Sequence, residues 1–184
     1  MLEEYVFAGF GGQGILMLGK LVAQAAMEAD LSASWLPSYG PEMRGGTCNC
    51  IVAFSDDEIG SPVAASQDAI VAMNQPSLEK FEPQVKPGGT VLINSSIVPV
   101  KASRTDIDVH YCPCDDLAVE AAGTNKAANV VALGALHAVR PRLTTEALEK
   151  ALKDVFGAKG DKIVDMNIRA LHAGINAMKQ SVTP

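Results

Sequence analysis

The sequence predicts an α/β fold, and three observations predict it. Short apolar runs that read as strands, such as Val91-Leu92-Ile93, are interleaved with longer runs whose apolar residues recur at helical spacing. The first of the short runs, Tyr5 to Ala8, is apolar on both faces, as a central parallel strand is. A glycine-rich turn, Gly9-Phe10-Gly11-Gly12-Gln13-Gly14, joins that strand to the first helical run. Together they predict a Rossmann-like, three-layer α/β/α sandwich. Its sheet is expected to be mixed but mostly parallel, in a single domain over residues 1–184.

The first strand is expected over Glu3 to Gly9 and the first helix over Gly14 to Ala29. Ile15, Leu18, Val22, Ala25 and Ala26 mark the buried stripe of that helix, and Gly19 and Ala23 suit close packing on a sheet. The second strand is expected over Ser32 to Leu36. From Trp35 to Thr47 there are two prolines and three glycines, which predicts a loop. Cys48 to Ser55 reads as the next strand, with Cys50, Val52 and Phe54 on one face. Its short separation from the second strand allows an antiparallel pair, hence the mixed sheet. Asp68 to Asn74 is a fourth strand and Pro76 to Phe81 a short helix, with Pro76 suited to a first turn. Lys86 to Gly89 reads as a turn before the buried strand Thr90 to Asn94, and Asp106 to Tyr111 as the final strand. Asp115 is expected to cap a helix running to Ala121, which Gly123 interrupts. Ala128 to Val139 is a helix of small residues. Thr144 to Phe156 is amphipathic, capped by Thr144 or Thr145. Asp161 is expected to cap the last helix, where Val164, Ile168, Leu171, Ile175 and Met178 form a stripe.

Strand, glycine loop and helix form an arrangement that presents backbone N–H groups to an anion. Its spacing satisfies G-x-G-x-x-G, although a tight turn without a ligand has the same spacing. A dinucleotide site makes a further demand: an acid at the end of the second strand, to hold the ribose hydroxyl. Here the second strand runs into Pro37-Ser38-Tyr39, and Asp30 lies before it. The turn is therefore expected to lack a normal NAD site. Lys20 is not in a P-loop arrangement, because Leu21 follows it, and reads as a solvated lysine.

Composition narrows the classes. Of 184 residues, 48% are hydrophobic, enough for a sizeable globular core. The formal charge of −6, with no basic stripe, argues against a nucleic-acid partner. No apolar run is long enough to span a bilayer, and the acidic start Met1-Leu2-Glu3-Glu4 is unlike a signal peptide, so a cytoplasmic protein is expected. The four cysteines form two C-x-C pairs, Cys48/Cys50 and Cys112/Cys114. That is not the spacing of zinc or thioredoxin sites, and they read as small buried side chains. His110, His137 and His172 have no evident nucleophile or metal-ligand partner and read as structural or solvated.

The loop Ser38-Tyr39-Gly40-Pro41-Glu42-Met43-Arg44-Gly45-Gly46, taken with the glycine turn, Ser55-Asp56 and Ile59-Gly60-Ser61-Pro62, resembles the gamma subunit of 2-oxoacid:ferredoxin oxidoreductases. Asn125-Lys126 with Asn129 to Gly134 is similar to that family's later segment. The resemblance implies membership in a complex that cleaves a 2-oxoacid, with a lean to 2-oxoglutarate, to acyl-CoA and CO₂. Electrons would pass to ferredoxin. It also implies coenzyme A at or near this chain. Thiamine diphosphate and [4Fe-4S] clusters would sit on partner alpha, beta and ferredoxin-like subunits. No residue of this chain is expected to be catalytic, and no metal site is expected. The candidate cofactor-binding residues are Gly9, Gly11, Gly12, Gln13 and Gly14 of the turn. Ser38, Tyr39, Gly40, Glu42, Arg44, Gly45 and Gly46 of the loop join them. Arg44 is a fork suited to phosphate or carboxylate, and the two segments are expected side by side at the carboxyl edge of the sheet. The rival readings are a stand-alone Rossmann-type nucleotide-binding oxidoreductase and a small redox or metal protein built on the C-x-C pairs.

Overall fold

The computed structural model describes residues 1–40, 46–61 and 65–181, with backbone alone for Tyr39 and Ser181. Among them six strands form one sheet: β1 (Leu2–Phe10), β2 (Ser32–Tyr39), β3 (Thr47–Ser55), β4 (Gln67–Ala72), β5 (Val85–Asn94) and β6 (Asp108–Cys112). Their order is β2-β3-β1-β4-β5-β6. The β1–β4, β4–β5 and β5–β6 pairs are parallel, and β3 alone runs against its neighbours β1 and β2. The sheet is mixed and mostly parallel, as its strand patterns predict.

Among the described residues six α-helices accompany it: α1 (Ile15–Glu28), α2 (Gln75–Phe81), α3 (Cys114–Ala122), α4 (Ala128–Val139), α5 (Thr145–Phe156) and α6 (Asp161–Ser181). The two helical layers are unequal. On one face, Phe7, Cys50, Val52, Phe54 and Leu92 pack with α1, α3, α4, α5 and α6 in the larger core. On the other, Val6, Ala8, Ile70, Ala72, Val91 and Ile93 pack under α2 and the segment around Val98. Alternation along β1 explains the division, since odd residues enter one core and even residues the other.

Some helices approach so closely that only glycine fits. A Cβ on Gly134 of α4 would overlap the Leu171 carbonyl oxygen of α6 and lie 3.1 Å from the Ile175 nitrogen. A Cβ on Gly174 of α6 would overlap the Val131 carbonyl oxygen and lie 2.7 Å from the Ala135 nitrogen. Gly19 plays a similar part where α1 crosses Cys50 and Trp35.

Four elements depart from the sequence-based expectation, the last helix among them: α6 begins at Asp161, which is its first helical residue rather than its cap. β2 continues through Pro37 to Tyr39, so Ser38 and Tyr39 lie on a strand rather than in a loop. A proline is tolerated there because β2 is the sheet edge, where one row of N–H groups has no strand partner. β5 starts at Val85, with Lys86 to Gly89 included as a bulged stretch. Gly88 has φ 73°, its N–H donates to the Asp106 carbonyl at 2.7 Å, and the register against β4 shifts between Gln67 and Ala69. Asp115 does not cap α3 but lies in its first turn. The Asn94 amide oxygen, at the end of β5, instead accepts from the Cys114 N–H at 3.1 Å. Thr144 caps α5 through the Ala147 N–H, as its position predicts.

At the amino edge of the sheet, ion pairs hold strands and helices together. Arg140 after α4 donates to Glu3 at 2.7 Å, Arg142 pairs with Glu3 at 2.8 Å, and Lys86 bridges Glu4 and Asp68 at 3.0 and 2.9 Å.

Candidate functional site at the carboxyl edge

β1 ends at Phe10, and the chain turns through Gly11, Gly12 and Gln13 into α1. Gly14 stands at the N-cap position with φ 73° and ψ 24°, a left-handed conformation that favours glycine. It has a second reason to be glycine: a Cβ there would lie 2.5 Å from the Asn129 amide nitrogen. That amide, at the start of α4, donates to the Gly14 carbonyl at 3.1 Å. Among the described residues no side chain caps α1, so its first N–H groups point out of the helix start unclaimed by a described capping residue. Gly12 has φ 100°, and none of the described residues lies within 4 Å of where its Cβ would be.

Gln13 is the clamp of the turn. Its amide oxygen accepts from the Phe10 N–H at 2.6 Å, and its amide nitrogen donates to the Met73 carbonyl at 3.0 Å, just past the end of β4. Gly9 leaves the room for it, since a Cβ at Gly9 would lie 2.6 Å from the Gln13 amide oxygen. Both ends of the Gln13 side chain are thus engaged with the scaffold.

The turn separates two crevices. One, about 270 Å³, is lined by Phe10, Gly12, the first turn of α1, Gly46 and Cys48. The other, about 100 Å³, is lined by Gly12, Gln13, Met73, Asp115, Asn125 and Lys126. The second lies where the connections diverge. From β1 the chain crosses by α1 on one face, and from β4 by α2 on the other. Ligands of open α/β sheets bind at such a switch point. Lys126, exposed, supplies a positive charge there, while the Asp115 carboxylate accepts from the Asn94 amide at 2.6 Å. Residue-by-residue reading did not place Asn125 and Lys126 in the site. Their signal was present in the segment similar to the family, but no local spacing tied it to a turn more than a hundred residues earlier.

The second expected segment also reaches this edge. Gly11 N–H donates to the Gly46 carbonyl at 2.9 Å, and Gly9 and Tyr39 both stand opposite Cys48, across its two sides. Ser38 is exposed near the end of β2, and Gly40 follows the strand. Glu42, Arg44 and Gly45 lie outside the described residues.

The sheet order also explains the missing ribose acid. In a dinucleotide fold the second strand lies parallel beside the first, and its end presents the acid. Here antiparallel β3 lies between β1 and β2, so the neighbour of β1 begins at this edge with Thr47 instead of ending there.

Cys50, Cys112 and Cys114 are fully buried, Cys48 nearly so, and all four thiols are free. Burial pushes the Cys50 thiol up to about 12 and raises that of Cys48. Cys114 is raised by its hydrogen bond with the Cys112 thiol and then by burial. Among the described residues, no three His, Cys, Asp or Glu side chains converge as metal ligands do. His110 pairs with Asp108, His137 with the Thr145 hydroxyl and His172 with Glu149. None of the helices described is long and apolar enough to cross a membrane.

A mostly parallel sheet whose first strand feeds a glycine turn into a helix defines an α/β module of Rossmann-like type. Comparison with known proteins makes the assignment particular. The model of the pyruvate ferredoxin/flavodoxin oxidoreductase family matches residues 4–177, and the chain belongs to that family. It is 40% identical over 176 residues to the ketoisovalerate oxidoreductase subunit VorA of Methanothermobacter thermautotrophicus, a match covering 95% of this chain and 36% of that protein. This chain therefore spans little more than a third of VorA. The gamma subunit of a keto/oxoacid ferredoxin oxidoreductase from Geobacter sulfurreducens superposes with a TM-score of 0.82 at 31% identity, over 97% of this chain and 99% of that one. A 2-oxoglutarate:ferredoxin oxidoreductase from Magnetococcus marinus, whose structure has 2-oxoglutarate, coenzyme A and succinyl-CoA bound, shares the fold with a TM-score of 0.87. Its identity is 24%, over 99% of this chain and 32% of that one.

Proposed function

We propose that this chain is the gamma component of a 2-oxoacid:ferredoxin oxidoreductase, and that its carboxyl-edge crevices take the anionic part of coenzyme A. The observation that carries the reading is the family match over residues 4–177, with the glycine turn open on both sides. The coenzyme A held by the Magnetococcus marinus oxidoreductase, which shares the fold, supports it.

The residues present fit such a ligand. The uncapped start of α1 offers N–H donors and the positive end of a helix dipole to a phosphate. Gly12, with open space at its Cα, lets a ligand approach the backbone. Lys126 adds a charge on the other side of the turn. Arg44 would complete the grip as a guanidinium fork. In this reading the chain binds and orients coenzyme A, and thiamine diphosphate held by partner subunits would supply the chemistry that cleaves the 2-oxoacid. The [4Fe-4S] clusters that take the electrons to ferredoxin also belong to partners. The alpha, beta and ferredoxin-like subunits are those partners, and the cytoplasm, where free cysteines persist, is the compartment.

Titration distinguishes this reading from a stand-alone nucleotide-binding oxidoreductase. Coenzyme A should bind and NAD should not, and Arg44→Ala should weaken coenzyme A by about 1–3 kcal/mol, the loss of a charged hydrogen bond, without unfolding the chain. Binding of NAD in preference to coenzyme A would overturn it.

A further inference from the structure

The two crevices beside the glycine turn share Gly12 but differ in chemistry. Among its described lining residues the larger has no charged side chain, and Phe10, Ile15, Leu16 and Met17 make it mostly apolar. The smaller holds one cation, Lys126, and one carboxylate, Asp115, together with Gln13 and Asn125. The Asn94 amide donates to that carboxylate at 2.6 Å and fixes its place. Lys126 is exposed, and among the described residues its ammonium has no ion-pair partner.

The backbone that carries Lys126 is tied to the turn. Lys126 lies in the single 3₁₀ turn Asn125–Ala127, where its N–H donates to the Thr124 hydroxyl at 3.3 Å. Just beyond, Asn129 donates to the Gly14 carbonyl at 3.1 Å, the same carbonyl that accepts the Leu18 N–H at 2.9 Å as α1 begins. The smaller crevice, about 100 Å³, is well below the roughly 300–1,000 Å³ of a pocket that encloses a whole ligand. A group that enters it ends there. Gly12, with open space where its Cβ would be among the described residues, lets a ligand cross from one crevice to the other. A ligand suited to both has a flat apolar part, a terminal anion and a hydrogen-bond donor beside that anion. Coenzyme A has one such end: its adenine, and a ribose with the 3′-phosphate on one carbon and a free 2′-hydroxyl on the next. The diphosphate is not terminal, because the pantetheine arm continues from it.

We infer that the smaller crevice is a specificity pocket for the 3′-phosphate of coenzyme A. Lys126 pairs with that phosphate, and Asp115 accepts from the neighbouring 2′-hydroxyl. The adenine lies across Gly12 in the larger, apolar crevice. Lys126 is then the residue that distinguishes coenzyme A from its analogue without the 3′-phosphate. This inference rests on the proposed function, which gives the crevices to coenzyme A without dividing the ligand between them.

Calorimetric titration of the chain with coenzyme A and with dephospho-coenzyme A, which lacks only the 3′-phosphate, tests it. The wild-type chain should bind coenzyme A about tenfold more tightly, the scale of one hydrogen bond to a charged group. Lys126→Ala should weaken coenzyme A about tenfold and dephospho-coenzyme A by less than about twofold, and Lys126→Arg should keep most of the preference. The ratio of the two affinities is the readout, since partial unfolding lowers both and leaves their ratio unchanged. Equal binding of the two ligands by the wild-type chain, or a Lys126→Ala protein that loses both equally, sinks the inference while the proposed function stands. If coenzyme A itself does not bind, the two fail together.

Discussion

Removing the Gln13 side chain should loosen the turn on which the site is built. Gln13 makes two hydrogen bonds, to the Phe10 N–H at 2.6 Å and the Met73 carbonyl at 3.0 Å, both partly buried. A hydrogen bond contributes about 0.5–1.5 kcal/mol net, and a partner left unsatisfied costs more. Gln13→Ala removes both, so a loss of about 2 kcal/mol is expected, which in a protein of this size is a fall in Tm of about 4–8 °C. Gln13→Glu is the sharper companion. Its carboxylate still accepts from Phe10, but it faces the Met73 carbonyl without a proton to donate and sets a negative charge beside the crevice of Gly12 and Lys126. Coenzyme A affinity should therefore fall further for Gln13→Glu than for Gln13→Ala, by about tenfold, or 1.4 kcal/mol. Thermal unfolding and calorimetric titration on the same samples measure both. A Gln13→Ala protein with unchanged Tm and abolished coenzyme A binding would make Gln13 a direct ligand contact and refute the clamp.

Gly134→Ala should cost about 1–3 kcal/mol despite the better helix propensity of alanine, because the clash is with the α6 backbone; once it has parted the helices, Gly174→Ala should add little, and a double-mutant cycle in urea reads this coupling. The isolated chain should show no 2-oxoacid oxidation with thiamine diphosphate and a viologen acceptor, and turnover by this chain alone would remove the subunit reading. The fully buried thiols of Cys50, Cys112 and Cys114 should resist an aromatic disulfide reagent at pH 8 until the chain unfolds, and Cys48, which lines the larger crevice, should be the first to react. Burial, then Lys179, lowers the His137 pKa from 6.5. The folded state thus disfavours the proton, and this contribution to stability is present above pH 6.5 and lost as pH falls. His137→Gln should flatten the unfolding curve between pH 7 and 5 relative to wild type.

Much of this fold was legible because its signals are local. The apolar periodicity of Ile15 to Ala26, the Thr144 cap and the small residues around Gly134 each carry their meaning within a few turns of chain. Position in the sheet is not local. Pro37 looked like a strand terminator because nothing in the sequence says that β2 is an edge. Asp115 looked like a cap because Asn94, which takes that role from the neighbouring strand, is twenty residues away. The glycine turn was legible from its spacing. The fixed position of Gln13 and the arrival of Lys126 were not, because both depend on contacts with distant parts of the chain, Met73 and the crevice itself.

Amide hydrogen exchange of the chain with and without saturating coenzyme A tests the central claim most directly. Slowed exchange at Gly11 to Met17 and at Asn125 to Asn129, with the ion-paired edge around Glu3 and Arg140 unaffected, is the predicted result. Protection confined to that opposite edge, or no change at the glycine turn at saturation, would contradict it.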